Sequence, residues 1–598
     1  MKGICKFVSK LLLLSIFINL IIMQGGTLKA AEKSLPSGLN YDEISEAIEN
    51  YFNEHEKTNC GMNVIVYDRD EVLYQNAFGY MDKEQKIKSQ MDTVYDWGSI
   101  SKLLIWVSVM QLYEEGLIDL NADIKNYLPD NFLKNLSFDK PITMIDLMNH
   151  KAGFQDTYFI QTTKPSEIGT LEEALSISQP KQIYEPGEHT AYSNWSAALA
   201  AYIVERASGL DYVYYVHKAI FDPLNMEHTS ISPTYDDRPW MLDERLKLKC
   251  YDAAGEAIIG PSICYIHLYP AGSACGTIAD LKTFARALTP DEAHPSPLFK
   301  KQSTLDEMYT ATSFYGSTNI PKNYHGFFSS QYALETIGHG GNTFGCSSML
   351  QFDPISGIGM LVMTNQAHES TYNYDMYELV YGKFTDSKLA QTKRTVPKGL
   401  ILNTRGIIEG PLSFLGALGV SSYSEEDLET WWYEEDGVVE TQFSDFVVST
   451  PKAICNVLCM LFFIIAGVYG LLKIFIGGVI IDPIKKRKGK IMVEPLRKYS
   501  YLTSSMMALA LINLLVEFIR LSKGYRTGNI GSAASYKVQS IIFLVLIILL
   551  AATVFFGYKN NYEDALKDEK RKFTMSSLLA ITQALVMVSF DMYKFWML

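Results

Sequence analysis

Apolar positions recur in this chain with three different periods, and each marks a different kind of structure. Toward the C-terminal end, Ala453 to Leu472, Tyr501 to Val516, Val538 to Gly557 and Met575 to Phe590 are predominantly apolar runs of roughly membrane-crossing size. Upstream the pattern is mixed. Residues 41–55 carry apolar side chains at helical spacing, whereas Met62 to Tyr67 and Glu71 to Phe78 read as two strands joined by Asp68-Arg69-Asp70. Leu103 to Leu117 is apolar enough for a buried helix, and Ala197 to Ala207 reads as another. Farther on, Glu335 to Gly338, Ser347 to Phe352 and Gly357 to Met363 read as strands, with Asp353-Pro354-Ile355-Ser356-Gly357 as a hairpin turn. A helix over Ser370 to Tyr381 closes this region. Strands at both ends with helices between them imply one sheet built from both termini, a helical lobe beside it and a cleft between the two.

The first 31 residues have a different character. Lys2, Lys6 and Lys10 precede the apolar stretch Leu11 to Met23, and small residues follow at Ala30 and Ala31. This pattern predicts a secretory signal peptide over residues 1–31. The connection after the first C-terminal run carries Lys485, Lys486, Arg487, Lys488, Lys490, Arg497 and Lys498, and that after the third carries Lys567, Lys570, Arg571 and Lys572. Such basic connections face the cytoplasm. Export signal and charge bias therefore agree on one topology: a multi-pass plasma-membrane protein with residues 35–385 outside and a four-helix transmembrane region over 453–598. Glu517, Arg520 and Asp591 fall near the ends of crossings, where they read as interfacial anchors, and the bundle as an anchor in the lipid bilayer.

Charge and cysteine usage narrow the field. The net charge of −13 comes largely from the outer part and from Glu425 to Glu440, inside a stretch, 386–450, that reads as an acidic linker. Nothing basic and interleaved with aromatics points to nucleic acid. Cys60, Cys250, Cys264, Cys275 and Cys346 are irregularly spaced and read as buried thiols, with a disulfide among them left open. The histidines are few and none are paired at ligand spacing, so no metal and no cofactor are expected.

Chemistry enters with Ser99-Ile100-Ser101-Lys102, at the start of the buried helix. A hydroxyl three residues before an amine shares a helix face with it, and the amine supplies the base or field that serine needs as a nucleophile. Ser137-Phe138-Asp139-Lys140 and Ser449-Thr450-Pro451-Lys452 have the same spelling, but prolines adjoin or interrupt them. A second cluster, Tyr192-Ser193-Asn194, follows Pro186-Gly187 and precedes the apolar helix. A tyrosinate between cations takes and returns a proton, and an amide holds a substrate carbonyl and the lysine together. Tyr51-Phe52-Asn53 and Tyr74-Gln75-Asn76 show that the spacing alone is common. The third cluster is His339-Gly340-Gly341-Asn342, where paired glycines admit a substrate backbone and the Asn342 N–H faces that of Ser99 across an oxyanion. His339 reads as a cation or donor toward a substrate carboxylate, or as a capped surface imidazole.

In order and spacing these clusters resemble the serine penicillin-recognising family: class C β-lactamases, DD-peptidases, and D-aminopeptidases and esterases of that fold. The family's Ser-x-x-Lys matches Ser99 and Lys102, its Tyr-x-Asn matches Tyr192 and Asn194, and its Lys/His-x-Gly matches His339 and Gly341. Supporting stretches are Leu147 to Phe154, Pro186-Gly187, and Pro270 to Ser273 before Thr277 to Leu281. The resemblance spans about residues 40–385. It implies an α+β fold, an antiparallel sheet flanked by helices plus a helical lobe, followed here by the all-α transmembrane bundle. It also implies an acyl-enzyme on Ser99, proton transfer by Tyr192 and Lys102, an oxyanion held by the Ser99 and Asn342 N–H groups, and substrate orientation by Asn194. The expected substrate is a peptide or β-lactam-like small molecule, most simply an amide next to a D-residue. Alternatives are a β-lactamase, a wall-polymer esterase, and a non-hydrolytic penicillin-binding sensor; protein partners stay open. Histidine in place of the lysine of Lys-Thr-Gly, with an ordinary pKa of about 6.5, weakens a permanent clamp on a substrate carboxylate.

Overall fold

The computed structural model describes residues 33–157, 161–255, 263–392, 399–405, 420–421, 433–488, 496–527 and 536–595. The expected signal peptide lies outside these residues.

A nine-stranded antiparallel sheet organises the N-terminal region. Its strands are β1 (Gly61–Tyr67), β2 (Val72–Asp82), β3 (Ile87–Lys88), β4 (Ser313–Phe314), β5 (Pro321–Tyr324), β6 (Phe327–Gln331), β7 (Glu335–Asn342), β8 (Ser347–Phe352) and β9 (Gly359–Thr364). The spatial order is β3-β2-β1-β9-β8-β7-β6-β5-β4, so the first strands pair with the last, Val64 opposite Val362 and Ile65 opposite Leu361. Side chains alternate across a strand, and β1 shows it. Met62, Val64 and Val66 pack under helix α1 (Ile44–His55), which buries Ile44, Ile48 and Phe52 at helical spacing, while Ile65 and Tyr67 face the helical lobe. Helix α2 (Ser101–Glu114) is buried on every side from Ser101 to Leu112 and is the central post of that lobe, beside α3 (Asn194–Ser208). The expected closing helix is shorter: a 3₁₀ turn over Asp375–Tyr377 leads into Glu378–Tyr381. The carboxylate of Glu369 accepts from the N–H groups of Tyr372 and Asn373, and the chain turns there before it becomes helical. The outer cysteines are buried except for half-buried Cys264.

The stretch expected as an acidic linker does not behave as a spacer. It contains β10 (Ile401–Asn403), β11 (Val420–Ser421), β12 (Tyr433–Glu435), β13 (Val438–Glu440) and β14 (Asp445–Val448), in the order β11-β10-β14-β13-β12. Long-range pairing and a buried ion pair hold it to the N-terminal region. Lys322 of β5 donates to Asp445 at 2.6 Å and Glu440 at 3.1 Å, with Lys322 and Asp445 both buried. Such a pair needs every donor and acceptor placed to offset its desolvation, and the Thr190 N–H also donates to Asp445, at 2.7 Å.

β14 runs directly into α4 (Thr450–Leu472), followed by α5 (Arg497–Thr527), α6 (Lys537–Asn561) and α7 (Lys567–Ser589). Among the described residues, four helical spans are long and apolar enough to cross a membrane. Small residues permit close approach, as in other apolar bundles: a Cβ on Gly470 would lie 2.3 Å from the Ser504 carbonyl. Leu458, Ile465, Ile519, Ile548 and Leu585 point outward. Glu517 departs from the interfacial reading, because it is fully buried among the helices.

Candidate active site

The tetrad sits where the sheet meets the lobe. Ser99 belongs to a 3₁₀ turn, Gly98–Ile100, that feeds α2 and places Lys102 in that helix's first turn. Gly98 has φ +53, and a Cβ there would stand 2.7 Å from the amide nitrogen of Asn342, so the end of β7 abuts the serine turn. Gly341 is equally constrained: its Cβ would fall 2.0 Å from the Trp97 carbonyl. His339 to Asn342 form the last four residues of β7.

Lys102 is fully buried and its Nζ hydrogen-bonds with three oxygens: Ser99 Oγ at 2.9 Å, Asn194 Oδ1 at 2.8 Å and the Ala271 carbonyl at 2.7 Å. Burial pushes its pKa well below the ordinary lysine value; the Arg405 cation adds to this and Asp156 opposes it. Asn194 opens α3, capped by the Ser193 hydroxyl, which accepts from the Ser196 N–H at 3.1 Å. The orientation of the Asn194 amide is set by buried Asp156, which accepts from its N–H at 3.0 Å and its Nδ2 at 3.1 Å.

The Tyr192 ring has Lys102 Nζ and the Arg405 guanidinium each 4.9 Å from its centroid. Burial raises the phenol's pKa, while the Ser99 hydrogen bond and Arg405 pull it down. The phenol therefore keeps its proton at neutral pH. His150, buried, packs its ring 4.4 Å from that of Tyr192.

His339 corrects an expectation. It is neither a surface imidazole nor partly charged: it is 1% exposed, and burial with the nearby Lys102 holds its pKa down at about 3. Its Nδ1 donates to the Gly340 carbonyl at 2.5 Å, which fixes the neutral tautomer.

Ser99, Tyr192, Asn194, His339, Gly340 and Asn342 line one cavity of about 640 Å³. Of the residues singled out from the sequence, Lys102 joins them by its bonds to Ser99 and Asn194, whereas Gly341 does not line the cavity and packs against the Trp97 carbonyl behind it. The sequence reading missed Asp156, Arg405 and Phe443, which line the same cavity. Asp156 stands two residues past the Leu147 to Phe154 stretch, a usable signal. Arg405 and Phe443 come from the appended sheet, where nothing local marks them. Among the described residues no group of histidines, cysteines and carboxylates is arranged to hold a metal ion.

Comparison with known proteins agrees with this geometry. A Beta-lactamase family model matches residues 48–381. Teichoic acid D-alanine hydrolase of Staphylococcus aureus is 28% identical over 221 residues, 37% of this chain and 52% of that protein. Protein flp of Staphylococcus aureus (strain N315) is 23% identical over 175 residues, 29% of this chain and 35% of that one. The chain thus spans about a third to a half of the length of these curated relatives. Among solved structures, D-amino acid amidase from Ochrobactrum anthropi SV3 is 24% identical, with a TM-score of 0.45, covering 57% of this chain and 97% of that chain. The penicillin-binding protein homologue from Pyrococcus abyssi is 19% identical, with a TM-score of 0.45, covering 66% of this chain and 86% of that chain. On the extent of the family match, the chain belongs to the Beta-lactamase family.

Proposed function

We propose that the chain is a membrane-anchored serine hydrolase that works through an acyl-enzyme and cleaves amide bonds next to D-amino acids. The observation that carries this reading is the 2.9 Å approach of Lys102 Nζ to Ser99 Oγ, by a lysine whose burial favours the neutral amine: with its two N–H groups taken by Asn194 Oδ1 and the Ala271 carbonyl, its lone pair faces the serine hydroxyl. A neutral amine at that distance is a general base for the serine hydroxyl. Ser99 Oγ attacks the scissile carbonyl as its proton passes to Lys102. The backbone N–H groups of Ser99 and Asn342 receive the oxyanion. Tyr192, which holds its proton at rest, donates it to the departing amine and is reprotonated through Lys102. Water then attacks the acyl-enzyme by the same path reversed. Asn194, fixed by Asp156, orients the substrate. The apolar helices and their basic connections support an anchored chain with its pocket outside the cell.

A second reading, ester hydrolysis on a D-alanylated wall polymer, uses the same groups and is favoured by the relative named teichoic acid D-alanine hydrolase. The first test is common to both. Ser99→Ala is expected to abolish covalent labelling by fluorescent penicillin or a fluorophosphonate in a folded protein. Equal labelling of the variant removes Ser99 from the mechanism. Relative kcat/KM on D-peptides, β-lactams and D-alanyl esters then separates the readings.

A further inference from the structure

The first position of the Lys/His-x-Gly match is filled by a neutral, buried imidazole. The cavity nevertheless contains a permanent cation. Arg405 lines it with a side chain 36% exposed, and its guanidinium lies over the ring of Tyr192. Its place is built, not accidental. Nε and Nη2 donate to one oxygen of buried Asp156, at 3.3 and 2.8 Å. The preceding residue, Thr404, donates its hydroxyl to the Thr190 carbonyl at 2.6 Å, two residues before Tyr192. The Arg405 N–H donates to Asn403 Oδ1 at 2.8 Å. Strand β10 is thereby stapled to the loop that carries the tyrosine.

On the mechanism proposed above, the leaving group departs beside the Tyr192 phenol. A guanidinium over that ring stands on the leaving side of the scissile bond. Arginine stays charged at all relevant pH values and binds carboxylate and phosphate oxygens through paired donors. We propose that Arg405, supplied by the appended sheet and not by the family-matched core, is a specificity-determining residue that selects substrates with an anionic group on the leaving side. The shared chemistry is an oxyanion, and it has two sources: the carboxylate of a C-terminal D-residue, or the phosphodiester of a polyol phosphate polymer.

This inference rests on the hydrolase reading, and its test separates the two. Two substrate pairs are used with the full-length chain in detergent: acyl-D-alanyl-D-alanine against its C-terminal amide, and D-alanyl glycerol phosphate against D-alanyl glycerol. Each is scored by turnover and by protection of Ser99 from fluorophosphonate labelling, so binding is read even where cleavage is slow. The native chain is expected to prefer the anionic member of at least one pair by roughly tenfold to a hundredfold, the range of a charge-assisted hydrogen bond. The pair that discriminates identifies the source of the anion. Arg405→Gln is expected to abolish the preference through KM, and Arg405→Lys to restore part of it. If Arg405→Gln lowers both members of each pair equally, the residue only positions Asp156 and Asn194, and the proposal fails. It fails too if the native chain shows no preference. In either case loss of labelling in Ser99→Ala leaves the hydrolase reading standing.

Discussion

The two sides of the pocket are made differently. The inner side, from the family-matched core, is a chain of buried hydrogen bonds in which Asp156 orients Asn194, Asn194 and Ala271 hold Lys102, and Lys102 meets Ser99. Ser99, Lys102 and Asn194 lie at helix starts, with Ala271 at the end of a short turn and Asp156 on a connection, all beside the apolar posts α2 and α3. The outer side, Arg405 and Phe443, comes from a small sheet outside residues 48–381. That sheet is held by side-chain pairs and edge contacts instead of a large apolar core: Lys322 with Asp445, Thr404 with Thr190, and Gln442 with the Ser329 carbonyl at 2.8 Å. On the mechanism and the selectivity proposed above, the reaction and the choice of substrate are carried by separate pieces of chain. The choosing piece continues directly into the first apolar helix.

The largest expected effect lies on the inner side. Lys102→Ala removes the proposed base, and general-base contributions run to about 10²- to 10⁴-fold. A loss of this size in acylation rate, read by fluorophosphonate labelling, with substrate protection unchanged, sharpens the division. A change confined to KM breaks it. Next comes Asp445→Ala, which leaves the Lys322 ammonium buried with Glu440 as its remaining carboxylate. Breaking a buried pair costs about 3 to 5 kcal/mol, so the temperature at which Ser99 loses its labelling competence drops sharply. If it does not move, the sheet is not anchored as the hydrogen bonds indicate.

The pH dependence separates His339 from Lys102. Burial holds the folded pKa of His339 at about 3, against an unfolded value of about 6.5. Between those values the unfolded chain binds a proton that the folded chain does not. Stability therefore rises with pH across that window, by about 1.4 kcal/mol per unit, and is flat above it. His339→Gln removes this group's share of the slope, measured by unfolding at a series of pH values, while buried His150, also held well below the ordinary histidine value, keeps its own. The kinetic profile from pH 5 to 8 is unaffected, because the imidazole is already neutral throughout. The rising limb of kcat/KM belongs to Lys102, whose amine must shed its proton before it accepts one from Ser99. A shift of that limb in His339→Gln contradicts the assignment.

What was legible in the sequence follows the same division. Ser99 with Lys102, and Tyr192 with Asn194, are local spacings at helix starts, and local geometry survives folding. The strand pairs were legible where apolar runs were dense, as in Met62 to Tyr67 against Gly357 to Met363. His339 was misjudged because its burial is imposed by neighbours distant in sequence, with Phe328 5.0 Å and Phe443 6.5 Å between ring centroids. The small sheet was read as a spacer because Glu434, Glu435 and Glu440 interrupt any apolar alternation in its strands. Arg405 reaches Asp156 across 249 positions, a contact that no local pattern encodes.

The smallest expected effect probes whether the outer side is only a wall. Phe443 sits in the turn between β13 and β14, its ring edge-on to Phe328 at 4.8 Å and to Tyr192 at 6.2 Å. Such aromatic pairs contribute about 0.5 to 1.5 kcal/mol beyond the area they bury. Phe443→Leu keeps an apolar surface there and removes the ring geometry. Acylation of Ser99 by a small fluorophosphonate should be unchanged within about threefold, while KM for substrates that fill the pocket rises by up to about tenfold. If acylation by the small probe falls as far as in Lys102→Ala, the turn does more than bound the cavity. It then holds Tyr192 in its catalytic position, and the division between a reacting side and a choosing side no longer describes this pocket.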